Sequence, residues 1–181
     1  TSYELNEKTS ETIILILMSA SGFFLMVDAE NLIMLFIGLE IGSISLYALA
    51  GLNRRDKLSN EASLKYFLLG SLASCIFIYG VALVYVSYSL MSVYDFALAI
   101  AYTGPDLIPL TTFIGVLLIF VGLLFKIAAA PFQSWAPDVY QGSPTGYVGY
   151  MASIVKAASF IVIARICMVS VLSLIHISEP T

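Results

Sequence analysis

The sequence predicts an all-α membrane protein with five transmembrane helices, one of them broken. Three observations carry this. The 181-residue chain is 60% hydrophobic and 11% charged, with a mean hydropathy of +0.95, whereas a soluble domain is about 45–50% apolar and about 25% charged. Its apolar residues gather in five stretches near the roughly 20 residues that span a hydrocarbon core of about 30 Å. They run all round rather than alternating with the period of two expected of barrel strands. The same composition excludes several function classes. Too few charges remain to coat a water-facing surface, and the chain is too apolar for a disordered tail. Eight basic against twelve acidic residues leave no polybasic patch for nucleic acid.

The elements follow in order. Residues 1–11 are polar and are expected to be a loop entering from a preceding part of a longer protein. A five-helix transmembrane unit is expected over 12–172. Its first segment is Thr12 to Val27, closed by Asp28 and Glu30, and the second is Asn31 to Leu52, so the two form a tight antiparallel hairpin. The third is Ala62 to about Leu90. The fourth begins at Leu107 and reaches about Ala130. The fifth runs from about Pro144 to Leu172. Five of the six prolines (Pro105, Pro109, Pro131, Pro137, Pro144) cluster around the fourth segment. A straight helix from Leu107 to Gln141 would be roughly 52 Å long, too long for a bilayer. Pro131 lacks an N–H and clashes with the preceding turn, so a break is expected there, after about Ala128, with a short helix from about Phe132 to Tyr140. Broken helices at membrane depth are tolerated where they are buried in protein or line a wet cavity.

Charge sets the orientation. Arg54, Arg55, Lys57 and Lys65 fall within twelve positions, whereas Asp28, Glu30, Asp95 and Asp106 lie in the other connections. The positive-inside rule places the loop between the second and third segments in the cytoplasm or matrix. Arg165, late in the fifth segment, fits this less well. Tyr85, Tyr88, Tyr94, Trp135 and Tyr140 are candidate interface anchors.

Three ionisable residues lie deep in apolar sequence. Glu40, in LFIGLEIGSIS, and Lys156, in YMASIVKAASFIV, sit near the midplane, roughly 14 Å and 18 Å into their helices. Lys126, in IFVGLLFKIAAAPF, lies one turn before the proline break. Each isolated buried charge costs roughly 2.5–3.5 kcal/mol or more. Such residues persist as structural ion pairs, for instance Glu40 with Lys126, or as a proton path. Burial disfavours a charged lysine and a nearby carboxylate favours it, so a movable Glu–Lys contact switches a lysine between holding and releasing a proton. Lys65, about 5 Å into its helix, is expected to snorkel, and Asp138 to act as a cap or loop contact. Gly42, Ser43, Ser45, Gly70, Ser71 and Ser74 read as small residues for close helix packing. Cys75 and Cys167 read as buried fillers. With the lone His176 they give no metal-ligand spacing, so no metal and no cofactor is expected in this chain.

The run LLFKIAAAPFQSWAPDVYQGSPTGYVGYMASIVKAA resembles the signature of the antiporter-like membrane subunits of complex I, NADH:quinone oxidoreductase. The runs FIGLEIGSISLYALAGL and SNEASLKYFLLGSLASCIFIYGVALVY resemble its subunit N family, equivalent to mitochondrial subunit 2. The resemblance covers roughly Ile13 to Cys167. It implies one of two inverted repeats in a fourteen-helix, non-redox subunit, with quinone reduction elsewhere in the complex driving proton transfer. It implies that Glu40 and Lys126 form a proton-gating pair, that Lys156 carries the path onward, and that Lys65 has a lesser role. Implied surroundings are the other membrane subunits, lipid, protons and internal water, in a bacterial cytoplasmic membrane or, alternatively, the mitochondrial inner membrane. The rival readings are a subunit of a multisubunit sodium–proton antiporter and a structural anchor. Two departures stand out: Gln133 replaces the family's usual histidine and cannot titrate, and Gly146 replaces a proline. Residues 173–181, which include IHISEPT, resemble translated adapter DNA and are expected to be foreign.

Overall fold

A computed structural model describes residues 2–103 and 107–178, with side chains placed for 9–100, 102–103 and 107–168. Pro105, Asp106 and the end of the tail, Glu179–Thr181, lie outside the described residues, as does the His176 side chain. The described residues are helical: α1 (Ser2–Asp28), α2 (Leu32–Ala50), α3 (Lys57–Tyr88), α4 (Val93–Thr103), α5 (Leu110–Lys126), α6 (Trp135–Gly142) and α7 (Thr145–Ser178). Four helices, α1, α2, α3 and α7, are long and apolar enough to cross a membrane, and α5 is a shorter apolar helix. This is the architecture of one antiporter-like repeat.

Two differences from expectation concern the ends of elements. Residues 2–11 extend α1 rather than forming a loop; the segment is polar but contains no glycine or proline to stop a helix. Helix α7 continues through Ser178, so Ser173–Ser178 is helical as well. A third difference is α4, a helix between the third and fourth segments that the length arithmetic missed. At 11 residues it falls below the length that signals a span.

The caps explain where the helices begin and end. Asn31 accepts the Ile33 N–H at 2.8 Å and Asp56 accepts the Leu58 N–H at 3.0 Å, starting α2 and α3. Serines on α3 satisfy the carbonyls at the end of α2: Ser59 Oγ donates to Ala50 O at 2.7 Å and Ser63 Oγ to Tyr47 O at 2.8 Å. At the opposite end, an isolated antiparallel bridge pairs Asn31 with Ser92. Leu32 N–H donates to Met91 O and Val93 N–H to Glu30 O, both at 2.9 Å, so the start of α4 is pinned to the α1–α2 turn. Arg165 is explained here. Its Nη1 donates to Val27 O and Ala29 O, both at 2.8 Å. A cation at the carbonyl end of α1 is favourable wherever that end lies, which overrides the loop-charge rule for this residue.

Helix α2 is the centre. Of its apolar stretch, 56% is buried, against 28% in α1 and α7. It packs on α1, α3 and α7, while α3 also packs on α5 and α6. Close approach rests on glycines. Any side chain at Gly80 would meet the Gly115 backbone at 2.6 Å, and one at Gly122 would meet Phe77 Cβ at 2.7 Å, which locks α3 against α5. Leu17, Phe24, Leu72, Val86 and Phe113 point outward, as an apolar solvent or neighbouring helices would require. Cys75 and Cys167 also face outward rather than filling the core. Trp135, expected as an interface anchor, is buried and stacks between Tyr66 and Phe125 at centroid distances of 4.9 and 5.8 Å.

Candidate functional site

The break in the fourth segment builds the site. Helix α5 ends at Lys126. Beyond it, Ala128 N–H donates to Phe125 O and Ala129 N–H to Leu124 O, both at 3.0 Å, with Ala128 in the left-handed region at φ 56°. This is a Schellman stop with alanine where glycine is usual. The indole Nε1 of Trp135 donates to Phe125 O at 3.1 Å. A 3-10 turn, Phe132–Ser134, leads into α6. The break therefore lies where Pro131 predicts one, but the helix stops before the proline, by its own backbone hydrogen bonds. Lys126 is left in the last turn, where the orphan carbonyls favour a cation.

Lys126 is 3% exposed. Its Nζ donates to Tyr47 Oη at 3.0 Å, Ser43 Oγ at 3.2 Å and Gly70 O at 3.4 Å. Three acceptors match the three N–H bonds of an ammonium. Two of the acceptors are hydroxyls, which can donate as well as accept. A neutral amine, with two N–H bonds and one lone pair, is therefore also satisfied by rotating one hydroxyl. The cage accommodates both protonation states.

Glu40 lies on the same helix as Ser43 and Tyr47, at spacings of three and seven residues that share a face. It is half-buried. Among the described residues it forms no ion pair with Lys126. Its carboxylate instead accepts from Ser74 Oγ. Ser74 also approaches Gly70 O at 3.0 Å, the carbonyl that receives Lys126. The expected direct Glu40–Lys126 contact is thus replaced by an indirect one through α3.

The other two lysines are placed apart from this cage. Lys156 on α7 is half-buried, with its Nζ 5.9 Å from the centroid of the Tyr140 ring on α6; among the described residues it has no ion pair. Lys65 does not simply snorkel. It pairs with Glu61 one turn back and with Asp138 of α6, each at 2.8 Å. Asp138 is correspondingly an ion-pair partner in the first turn of α6 rather than a side-chain cap. Glu61, Lys65 and Asp138 line a small pocket of about 150 Å³ with Gln141 and Gly142. Gln133 lies in the exposed 3-10 turn, and Gly146 has open space around it. Among the described residues no group of three or more His, Cys, Asp and Glu is arranged to hold a metal ion.

Sequence reasoning missed Ser43, Tyr47, Gly70 O and Ser74 as ligands of the deep charges. The sequence context of the serines points to packing alone. Their register was the available signal: Glu40, Ser43 and Tyr47 share one face, and Gly70 and Ser74 are one turn apart.

Residues 29–179 match the family described as NADH:quinone oxidoreductase/Mrp antiporter, TM. The chain is 48% identical over 149 residues to NADH-quinone oxidoreductase subunit N 1 of Chloroherpeton thalassium, covering 82% of this chain and 31% of that protein. It is 46% identical over 159 residues to subunit N 2 of Koribacter versatilis, covering 88% and 32%. Its fold matches a chain of respiratory complex I from Thermus thermophilus, solved with bound aureothin, at TM-score 0.74 and 41% identity, over 86% of this chain and 34% of that one. It also matches a chain of the membrane-bound sulfane sulfur reductase, an archaeal respiratory membrane complex, at TM-score 0.73 and 32% identity, over 87% and 31%. The chain spans about a third of the length of these relatives. With the family match running over most of its length, the chain belongs to the NADH:quinone oxidoreductase/Mrp antiporter transmembrane family.

Proposed function

We propose that the chain is a repeat of a non-redox, proton-translocating membrane subunit of an NADH:quinone oxidoreductase, of the subunit N type. Quinone reduction elsewhere in the complex changes the charge and hydration around this repeat. A proton is held on Lys126, Glu40 biases its retention or release, and Lys156 takes the path onward toward a neighbouring repeat. Lys65, with Glu61 and Asp138, contributes at the charged end of α3. The chain's partners are other membrane subunits of the complex, lipid and internal water, and the setting is a bacterial cytoplasmic membrane, as the bacterial relatives suggest. The mitochondrial inner membrane is the alternative setting.

One observation carries this reading. A fully enclosed lysine sits at a helix break among neutral, mostly reversible hydrogen-bond partners, with a carboxylate joined to it through the Ser74 hydroxyl and the Gly70 carbonyl. A purely structural lysine would be expected to sit against the carboxylate, because a buried charge needs pairing. Here the amine is satisfied with or without its proton. The sodium–proton antiporter reading uses the same groups, and the family description includes it; the relatives named subunit N favour the oxidoreductase.

The test is Lys126→Ala in the full-length subunit, assembled in its complex in sealed vesicles. Normal assembly with NADH-driven proton uptake reduced at least about tenfold is expected, as for a group acting directly in proton transfer. Unchanged uptake would overturn the reading. Failure to assemble would favour a structural anchor. Uptake that required sodium would favour the antiporter.

A further inference from the structure

We propose that Ser74 is a positioning residue that couples the protonation state of Glu40 to the cage around Lys126. The inference rests on the proton-path reading of those two residues and deepens it.

The geometry is a matter of counting hydrogens. Ser74 is buried on α3 at 5% exposure. Its hydroxyl faces two acceptors, Glu40 Oε1 on α2 and Gly70 O in its own helix. One O–H cannot fully serve both. When Glu40 is a carboxylate it can only accept, so the Ser74 proton is drawn to it, and Gly70 O is left to the Lys126 ammonium at 3.4 Å. When Glu40 is protonated it can donate to Ser74 Oγ. The Ser74 hydroxyl then turns onto Gly70 O and competes there with Lys126. No bond other than hydrogen bonds changes, and no proton leaves Ser74. The carboxyl's state is transmitted by the direction of one hydroxyl to a carbonyl that contacts the lysine.

The surroundings make this route specific. Gly70 is where Tyr47 Oη approaches the α3 backbone so closely that a side chain would displace it. The carbonyl, the phenol and the amine are therefore held in one cluster, with Ser74 joining it to Glu40. An ordinary helical serine that only donates back to the carbonyl four residues earlier, as Ser45 does to Ile41 O, has no second acceptor and transmits nothing.

The experiment compares Ser74→Ala, Glu40→Gln, their double variant and Lys126→Ala, in full-length subunit within the intact complex. The readout is NADH-driven proton uptake in sealed vesicles, with assembly checked for each. Ser74→Ala is expected to lower uptake by roughly threefold to tenfold, the scale of one typical intramolecular hydrogen bond. The double variant is expected to fall no further than Glu40→Gln alone, because the hydroxyl acts only through that carboxyl. Independent roles would multiply the two losses, and that result would overturn the proposal. So would wild-type uptake in Ser74→Ala alongside a defective Lys126→Ala. Should Ser74→Ala not assemble, Ser74→Cys, which replaces the hydroxyl by a weak donor, carries the same expectations. Normal uptake in Lys126→Ala would instead bring down the reading of the site itself, and the Ser74 proposal with it.

Discussion

Lys126 and Lys65 show two ways for one residue type to live in an apolar helix. Lys65 keeps 43% of its side chain exposed and is flanked by two carboxylates. Lys126 is enclosed and is flanked by two hydroxyls and a carbonyl. The carboxylates lie where water can share the charge. The enclosed lysine is served by groups that carry no charge and, at a helix end, by carbonyls that favour a cation. An enclosed Lys–Glu pair would hold its proton tightly. An enclosed lysine in a neutral cage keeps its hydrogen bonds whether or not it carries the proton. The first arrangement leaves the charge shared with solvent; the second is the one that a proton path needs.

The comparison can be broken at its enclosed end with the largest effect. Gly70→Val would drive a branched side chain into the place of the Tyr47 phenol. We expect a loss of about 1–3 kcal/mol in subunit stability together with reduced proton uptake, because the cage opens. A thermal melt of the purified subunit and a vesicle assay would check the two parts. Unchanged values in both would mean that Tyr47 is not needed to hold Lys126.

A smaller effect of opposite sign is expected at the helix stop that presents Lys126. Ala128 adopts φ 56°, a region that costs an L-residue roughly 1–2 kcal/mol and glycine nothing. Ala128→Gly is expected to stabilise the subunit by about 0.5–1 kcal/mol, seen as a higher melting temperature. A lower one would show that the Ala128 methyl contributes more through packing than its backbone costs.

The smallest effect belongs to the exposed lysine. Lys65→Met removes ion pairs that solvent screens, and the melting temperature of the subunit should not change measurably. A clear drop would show that the exposed pairs secure α6, and would narrow the difference between the two lysines to one of degree.

The sequence by itself determined a good deal. Apolar run length and the proline cluster specified the membrane helices and the place of the break, through the rise per residue and the poor fit of proline in a helix, although the helix itself stops before Pro131 by its own backbone hydrogen bonds. Glu40, Lys126 and Lys156 were legible as deep charges for the same reason. The family runs around Lys126 and Glu40 then identified the repeat. Short-range chemistry between helices was not legible. Which hydroxyl meets which charge depends on the rotation of α2 against α3, and that rotation is set where Gly70 admits Tyr47. Only the tertiary structure decided that Ser74 and the Gly70 carbonyl stand between Glu40 and Lys126 in place of a direct contact, that Arg165 closes α1, and that Trp135 is a buried cap rather than an anchor. Sequence spacing fixes neighbours along one helix. Partners across a helix interface are fixed by how closely the backbones can approach, and here that closeness comes from single glycines whose role appears only once the helices are packed.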